Sequence, residues 1–140
     1  MILKVKKVSP DAILPTYAHA WDAGMDVYSN ETVTIEPGQA VKVKSGVAFE
    51  IPDGYVGLMW DKSGLSMNHK IKSLGGVIDS GYRGESLLGV INLGTEPYTI
   101  EKGHKVVQML LQKVEHVEIT EVETLSETDR GEKGFGSSGK

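Results

Sequence analysis

The segment Gly75-Gly76-Val77-Ile78-Asp79-Ser80-Gly81-Tyr82-Arg83-Gly84 places one carboxylate and one aromatic ring in a glycine-flanked turn at the end of an apolar run. Glycine lets the backbone bend tightly there. Asp79 held on such a turn can take a proton from water, and Tyr82 can form a flat wall beside a ligand. A plain hairpin with a solvated Asp is the competing reading, because Asp is common in turns. Four further segments carry polar groups in unusual settings. Lys62-Ser63-Gly64-Leu65-Ser66 opens a helical turn, where outward N–H groups can hold an anion, although a simple N-cap at Ser63 would look the same. Ala23-Gly24-Met25-Asp26-Val27-Tyr28 sets Asp26 alone in an apolar strand, and Gly103-His104-Lys105-Val106-Val107-Gln108 sets the Gln108 amide at the edge of an apolar run. A buried Asp or Gln must find partners, in a structural network or in a ligand. In Arg130-Gly131-Glu132-Lys133-Gly134-Phe135-Gly136-Ser137-Ser138-Gly139, an arginine, an aromatic and successive small residues are suited to clamping a nucleotide by stacking and N–H donation. The default for such a terminus is disorder.

The elements that must position these groups are strands. Leu3 to Lys6 and Val41 to Lys44 alternate apolar and polar residues, as half-buried strands do. Thr32 to Ile35, Val47 to Ile51 and Tyr55 to Trp60 are short and rich in β-branched and aromatic residues. Turn signals stand between them at Glu36-Pro37-Gly38-Gln39 and Pro52-Asp53-Gly54. Leu87 to Leu93 and Val106 to Val114 are more continuously apolar and are expected to be central, and His116 to Glu123 alternates again through Val117, Ile119 and Val122. Only Lys62 to Asn68 reads as helical. Short strands with frequent turns predict an all-β sandwich or barrel. From Thr124 the chain becomes polar and glycine-rich, a composition too poor in apolar side chains to order itself.

Composition narrows the function further. A chain of 140 residues, 39% hydrophobic and 24% charged, has the length and balance of one globular domain. Its net charge of −4 argues against general nucleic-acid binding but not against a small phosphorylated ligand. No run reaches the roughly 18 apolar residues of a membrane span, and the N-terminus lacks a signal-peptide core, so a cytoplasmic location is expected, that of the host cell if the source is viral. Zero cysteines exclude disulfides, zinc–thiolate sites and thiol nucleophiles. Seventeen glycines, against roughly ten at average usage, indicate many turns and close backbone approaches.

In order and spacing, the five segments resemble the five motifs of the trimeric dUTPase family, from Ala23 to Gly139. The most specific parts are Gly76-Val77-Ile78-Asp79 with Tyr82, and Gly134-Phe135-Gly136-Ser137. The resemblance implies an antiparallel β jelly roll over residues 1–123, with residues 124–140 as a tail closing over the active site. It also implies a homotrimer whose three sites lie between subunits, each drawing motifs from all three chains. The implied reaction is Mg²⁺-dependent hydrolysis of dUTP to dUMP and pyrophosphate, which limits uracil in DNA and supplies dUMP for thymidylate synthesis. Asp79 would hold and deprotonate the attacking water and bond the deoxyribose 3′-hydroxyl. Tyr82 would pack on the sugar and exclude a 2′-hydroxyl, and backbone groups at Gly76 and Ile78 would read uracil. Lys62, Ser63, Gly64 and Gln108 would contact phosphates, and Arg130 the γ-phosphate. Phe135 would cover uracil while Gly136, Ser137 and Ser138 donate to phosphate. Asp26 would support the magnesium through water. Lys62 and Lys105 stand where many relatives have arginine, His104 where an acid is common, and Lys133 where a glycine is common. A dCTP deaminase of related fold and a non-catalytic nucleotide-sensing trimer are the rival readings. Glu85 does not match the deaminase's glutamate convincingly, and retention of Asp79 counts against a pure binder.

Overall fold

The computed structural model describes residues 1–134. Its elements, in chain order, are β1 (Lys4–Lys7), β2 (Met25–Tyr28), β3 (Val33–Ile35), β4 (Ala40–Val43), β5 (Val47–Glu50), β6 (Tyr55–Asp61), α1 (Ser63–His69), β7 (Ile71–Leu74), β8 (Val77–Ile78), β9 (Leu88–Asn92), β10 (Tyr98–Ile100) and β11 (Lys105–Lys113). All strand pairs are antiparallel: β2-β11-β6-β8 and β4-β9-β7 form the two larger sheets, with β1-β5 and β3-β10 as two-stranded pairs. The architecture is an antiparallel jelly roll.

Sequence pattern explains the placement. β9 and β11 are the most continuously apolar strands and each is paired on both sides, β9 by β4 and β7, β11 by β2 and β6. β9 still alternates, burying Leu88, Val90 and Asn92 with Gly89 and Ile91 half-buried. One core gathers Val27 and Met109 from the first large sheet, Val43 and Val90 from the second, and Ile35, Phe49 and Ile100 from the two-stranded pairs. The turn signals are realised: Gln39 N–H donates to Glu36 O (2.9 Å) and Tyr55 N–H to Pro52 O (3.2 Å), with Gly38 and Gly54 at positive φ.

Four expectations change. β7 and β10 are strands that the sequence pattern does not single out: Ile71 and Leu74 stand three apart, and Tyr98–Ile100 is a single alternation beside Pro97. His116 to Glu123 forms no strand, and Val117, Ile119 and Val122 are 76%, 92% and 57% exposed; their alternation has no partner surface among the described residues. The Asp79–Tyr82 turn does not close a self-paired hairpin. β8 pairs with β6 while β9 pairs with β4 and β7, so the turn carries the chain from one sheet to the other. Ser63 is the first helical residue and not the cap; Lys62 occupies the cap position in an extended conformation, with no side-chain capping bond. Among the described residues, no helix is long and apolar enough to cross a membrane.

Asn92, fully buried, binds the layers together. Its Nδ2 donates to Ile35 O (2.9 Å) and Glu96 O (2.8 Å), and its Oδ1 accepts from Gly94 N–H (2.8 Å). Asn92→Leu keeps the branched shape but strands three backbone groups, and should lower unfolding free energy by about 2–4 kcal/mol. Urea unfolding at a fixed protein concentration measures this; a loss under about 1 kcal/mol would mean that water replaces the amide.

Candidate active site

Asp26 sits in the middle of β2 with 2% of its surface exposed. β11 lies opposite it, Gln108 facing Asp26 in register, and a register shift between Lys105 and Val107 marks a bulge. Such a bulge re-aims a side chain, here the lysine at its start. Lys105 Nζ lies 2.7 Å from Asp26 Oδ2, and Lys62 Nζ, arriving from the end of β6, lies 2.5 Å from Oδ1. Oδ2 nevertheless lacks a well-aligned hydrogen-bond donor. Gln108 Nε2 donates to Asp61 O (2.9 Å), and Asp61 takes Ser73 N–H (2.7 Å), Ser73 Oγ (2.5 Å) and Lys72 Nζ (2.6 Å) on its carboxylate. These bonds fix the point where β6 passes into Lys62, Ser63 and Gly64. Gly24 lies close beside them: a Cβ there would stand 2.7 Å from Gln108 Oε1 and push the amide aside.

A second feature is a pocket of about 350 Å³ lined by Gly76, Ile78, Asp79, Tyr82, Glu85 and Ser86, among others. Met59 N–H donates to Gly76 O (2.7 Å), and Gly76 has φ +111° with Met59 O only 2.7 Å from where a Cβ would stand. Glycine is therefore obligatory where the hairpin segment closes on β6. Tyr82 N–H closes the turn on Asp79 O (3.1 Å), and Arg83 Nη1 donates to Ser80 O (2.5 Å) and Tyr82 O (2.9 Å). The Asp79 carboxylate stands exposed at the pocket's edge.

Asp26, Lys62, Gln108 and the start of α1 thus come together, and so do Gly76, Ile78, Asp79 and Tyr82, but the two groups do not meet. Gly57 faces Ile78, so Asp79 continues toward Val56, whereas Lys62 follows Asp61 at the other end of β6. Along an extended strand, Gly57 and Lys62 are about 16 Å apart. Arg130 Nε donates to Lys133 O (3.0 Å) in a local turn and reaches neither group among its recorded bonds. The expected roles of Phe135, Gly136, Ser137 and Ser138 lie outside the described residues. Lys105, visible in the sequence only as a departure from arginine, proves to be half of the Asp26 pairing. Asp61 is not singled out by the sequence, and Glu85 only as a poor match to a deaminase glutamate, because their partners Ser73 and Gly46 are distant in sequence.

A family model described as dUTPase matches residues 10–139. The chain belongs to the dUTPase family. It is similar to the deoxyuridine 5′-triphosphate nucleotidohydrolase of Clostridioides difficile, 43% identical over 98% of this chain and 97% of that one. The corresponding protein of Clostridium kluyveri is 45% identical over 99% of both chains. The dUTPase of Staphylococcus bacteriophage 80alpha, solved with dUpNHpp, is 34% identical and superposes with a TM-score of 0.93 over 99% of this chain and 98% of its own. A mutant dUTPase from phage phi11 of S. aureus, 29% identical with a TM-score of 0.84 over 89% of this chain and 98% of its own, was solved for the coordination of a structural Mg(II) ion.

For a dUTPase the charge balance of the Asp26 group matters at working pH. Burial alone would raise the Asp26 carboxyl, but the bonds from Lys105 and Lys62 outweigh it and hold it below the usual carboxylate range. The bond to Asp26 moves Lys105 the other way, upward. A depressed carboxyl contributes stability that is complete above roughly pH 4 and is lost as acid protonates it. A raised lysine contributes stability that is complete below roughly pH 10 and is lost in stronger base. Asp26 and Lys105 therefore both keep their charges across neutral pH.

Replacing Lys62 or Lys105 singly by Met leaves Asp26 one ammonium and should cost little. The double variant leaves a buried carboxylate with no counter-charge, which in comparable sites costs about 3–5 kcal/mol. Its carboxyl should then titrate upward, so its stability should fall as pH rises from about 4 to 7. Denaturant unfolding of all four proteins across that range is the check; additive losses and a flat pH profile would mean that Asp26 does not depend on the pair.

Proposed function

We infer that this dUTPase hydrolyses dUTP to dUMP and pyrophosphate at sites assembled between the subunits of a homotrimer. One observation carries the shared-site reading: the base and the phosphate cradle of one chain sit at opposite ends of β6, too far apart for both to touch one water and its target phosphate. A second supports it. Val117, Ile119, Val122 and Leu125 form an exposed apolar series beyond the last strand, suited to covering by another copy of the chain. The two-part division of the chain, with residues 124–140 as a closing tail, belongs to the same reading.

In the assembled site, Asp79 Oδ accepts a proton from water while the water oxygen bonds the α-phosphorus. The bond from that phosphorus to the bridging oxygen breaks, and the electron pair leaves with pyrophosphate. Tyr82 packs on the deoxyribose, and backbone groups at Gly76 and Ile78 pair with uracil. Lys62, Lys105, Ser63, Gly64 and Gln108 of a neighbouring chain bind phosphate oxygens. Arg130 would meet the γ-phosphate; Phe135 would cover the base, with Gly136, Ser137 and Ser138 donating to phosphate.

Magnesium fits this site as a companion of the substrate. Among the described residues, no group of three or more His, Asp or Glu side chains forms a protein cage. Mg²⁺ in nucleotide sites is typically held by phosphates, waters and one or two carboxylates. Asp26, buried and with its Oδ2 shared with Lys105 Nζ 2.7 Å away, is the carboxylate that would accept from a water of its shell. When bound, the ion would withdraw negative charge from the triphosphate and its leaving oxygen.

Purified protein should release pyrophosphate from dUTP, barely act on UTP, dCTP or dTTP, and stop on EDTA treatment. Asp79→Asn should keep the fold and lower kcat by roughly 10²–10⁴-fold. Ammonia release, comparable UTP turnover, or near-normal kcat in Asp79→Asn would each overturn the corresponding assignment.

Shared sites can be tested by refolding Asp79→Asn and Lys62→Met proteins together in equal amounts. If base and cradle come from different chains, each has a half chance of being intact, and about one quarter of sites recover. No gain over the parents, with mixed trimers confirmed by mass, would place both groups on one chain.

A further inference from the structure

Tyr82 can discriminate against a 2′-hydroxyl only if its ring is held still, since a ring that swings aside leaves room for the ribose. The ring's fixings are visible. Its hydroxyl donates to Glu85 O (3.0 Å), and a Cβ at Gly84 would run into the Tyr82 oxygen, so the ring is folded back over a glycine. The carbonyl that receives it is itself tied down. Glu85 Oε1 accepts from Gly46 N–H (2.8 Å), and Ser86 N–H donates to Val47 O (2.9 Å).

Gly46 is a rigid mooring. It has φ +70°, a Cβ there would stand 2.7 Å from Ala12 Cβ and 2.9 Å from Asn30 Cγ, and its carbonyl accepts from Val8 N–H (2.7 Å) and Ser9 N–H (3.2 Å). Glu85 is only partly buried, and a surface-capable carboxylate folded inward onto one backbone N–H is more than packing requires. A charge-assisted bond of this kind is stronger than a neutral one.

We propose that Glu85 is a positioning residue for sugar selectivity: its carboxylate moors residues 85–86 to the Gly46–Val47 backbone, so that the Glu85 carbonyl can hold the Tyr82 hydroxyl and fix the ring that excludes a 2′-hydroxyl. This rests on Tyr82 being the sugar wall. Asp79 precedes the braced ring and keeps its own turn bond, so Glu85 governs which sugar fits more than how fast dUTP reacts.

The test compares kcat/KM for dUTP with that for UTP in folded trimers, thermal unfolding being recorded for each variant. Glu85→Ala should lower the dUTP:UTP ratio roughly tenfold, the scale of one lost hydrogen bond to a charged group, while kcat for dUTP stays within a few-fold. Glu85→Gln should restore most of the ratio, because its amide oxygen can accept from Gly46 N–H. Tyr82→Phe should lose the ratio as Glu85→Ala does, and combining the two should add nothing further. If Glu85→Ala fails to fold, Tyr82→Phe carries the test alone, and an unchanged ratio there overturns the brace. An unchanged ratio in folded Glu85→Ala, with a reduced ratio in Tyr82→Ala, overturns the brace and leaves the sugar wall standing. An unchanged ratio in Tyr82→Ala removes the sugar wall and the brace together.

Discussion

Strand β6 is the constraint on which the rest depends. All seven of its residues pair with β11, from Tyr55 opposite Lys113 to Asp61 opposite Val107, and its other edge takes β8 at Gly57 and Leu58. A one-residue slip of such a ladder would turn every side chain to the opposite face, so the register is set wherever one face is buried. Gly57 leaves room for close packing on this strand: a Cβ there would stand 2.8 Å from Ile51 Cδ1 and 3.1 Å from Met109 Sδ, which would have to shift. Once that register is set, the Asp79 turn is held at one end of the strand and Lys62 at the other.

The cradle end is stabilised by electrostatics. A lone buried Asp26 would be costly in its ionised form, and two clustered lysines would repel; together they satisfy one another. Point-charge ammonium groups on flexible stems can do this from two different elements, where a planar guanidinium would favour a single bidentate partner. The lysines that replace arginine at 62 and 105 therefore suit a carboxylate shared between β6 and β11. Asp61 stabilises the same corner through Ser73 and Lys72, and burial, which alone would raise its carboxyl, is outweighed by those bonds.

What was legible in the sequence follows from how local each signal is. Strands sandwiched between two partners, β9 and β11, read as apolar runs, and exposed ones such as β4 read as alternation. β7 shows neither pattern, its apolar Ile71 and Leu74 standing three apart, and β10 offers only Tyr98-Thr99-Ile100 beside Pro97. The alternation of His116 to Glu123 is real as a sequence pattern, yet among the described residues no surface buries it. Alternation reports that one face is covered; it cannot report by whom. Among the candidate site residues, Asp26, Lys62, Gln108, Asp79 and Tyr82 stand out in the sequence because each sits in a short segment of distinctive composition; their roles belong to the proposal. The partnerships of Lys105 with Asp26, Ser73 with Asp61 and Gly46 with Glu85 were not, because only the folded register brings them together.

Separation of base and cradle also bears on the chemistry. In one chain Asp79 faces solvent at the mouth of an open pocket, where water screens its charge and competes for its acceptors. Electrostatic stabilisation of a transition state is strongest in a site from which bulk water is excluded and whose donors are fixed beforehand. On the proposed reading, a second chain supplies both the cradle and the cover. Assembly would then do more than add binding groups, because it would lower the local dielectric around a carboxylate that the isolated chain leaves in water. On that reading, a fold that keeps the Asp79 turn and the Lys62 group apart would make full activity conditional on correct assembly.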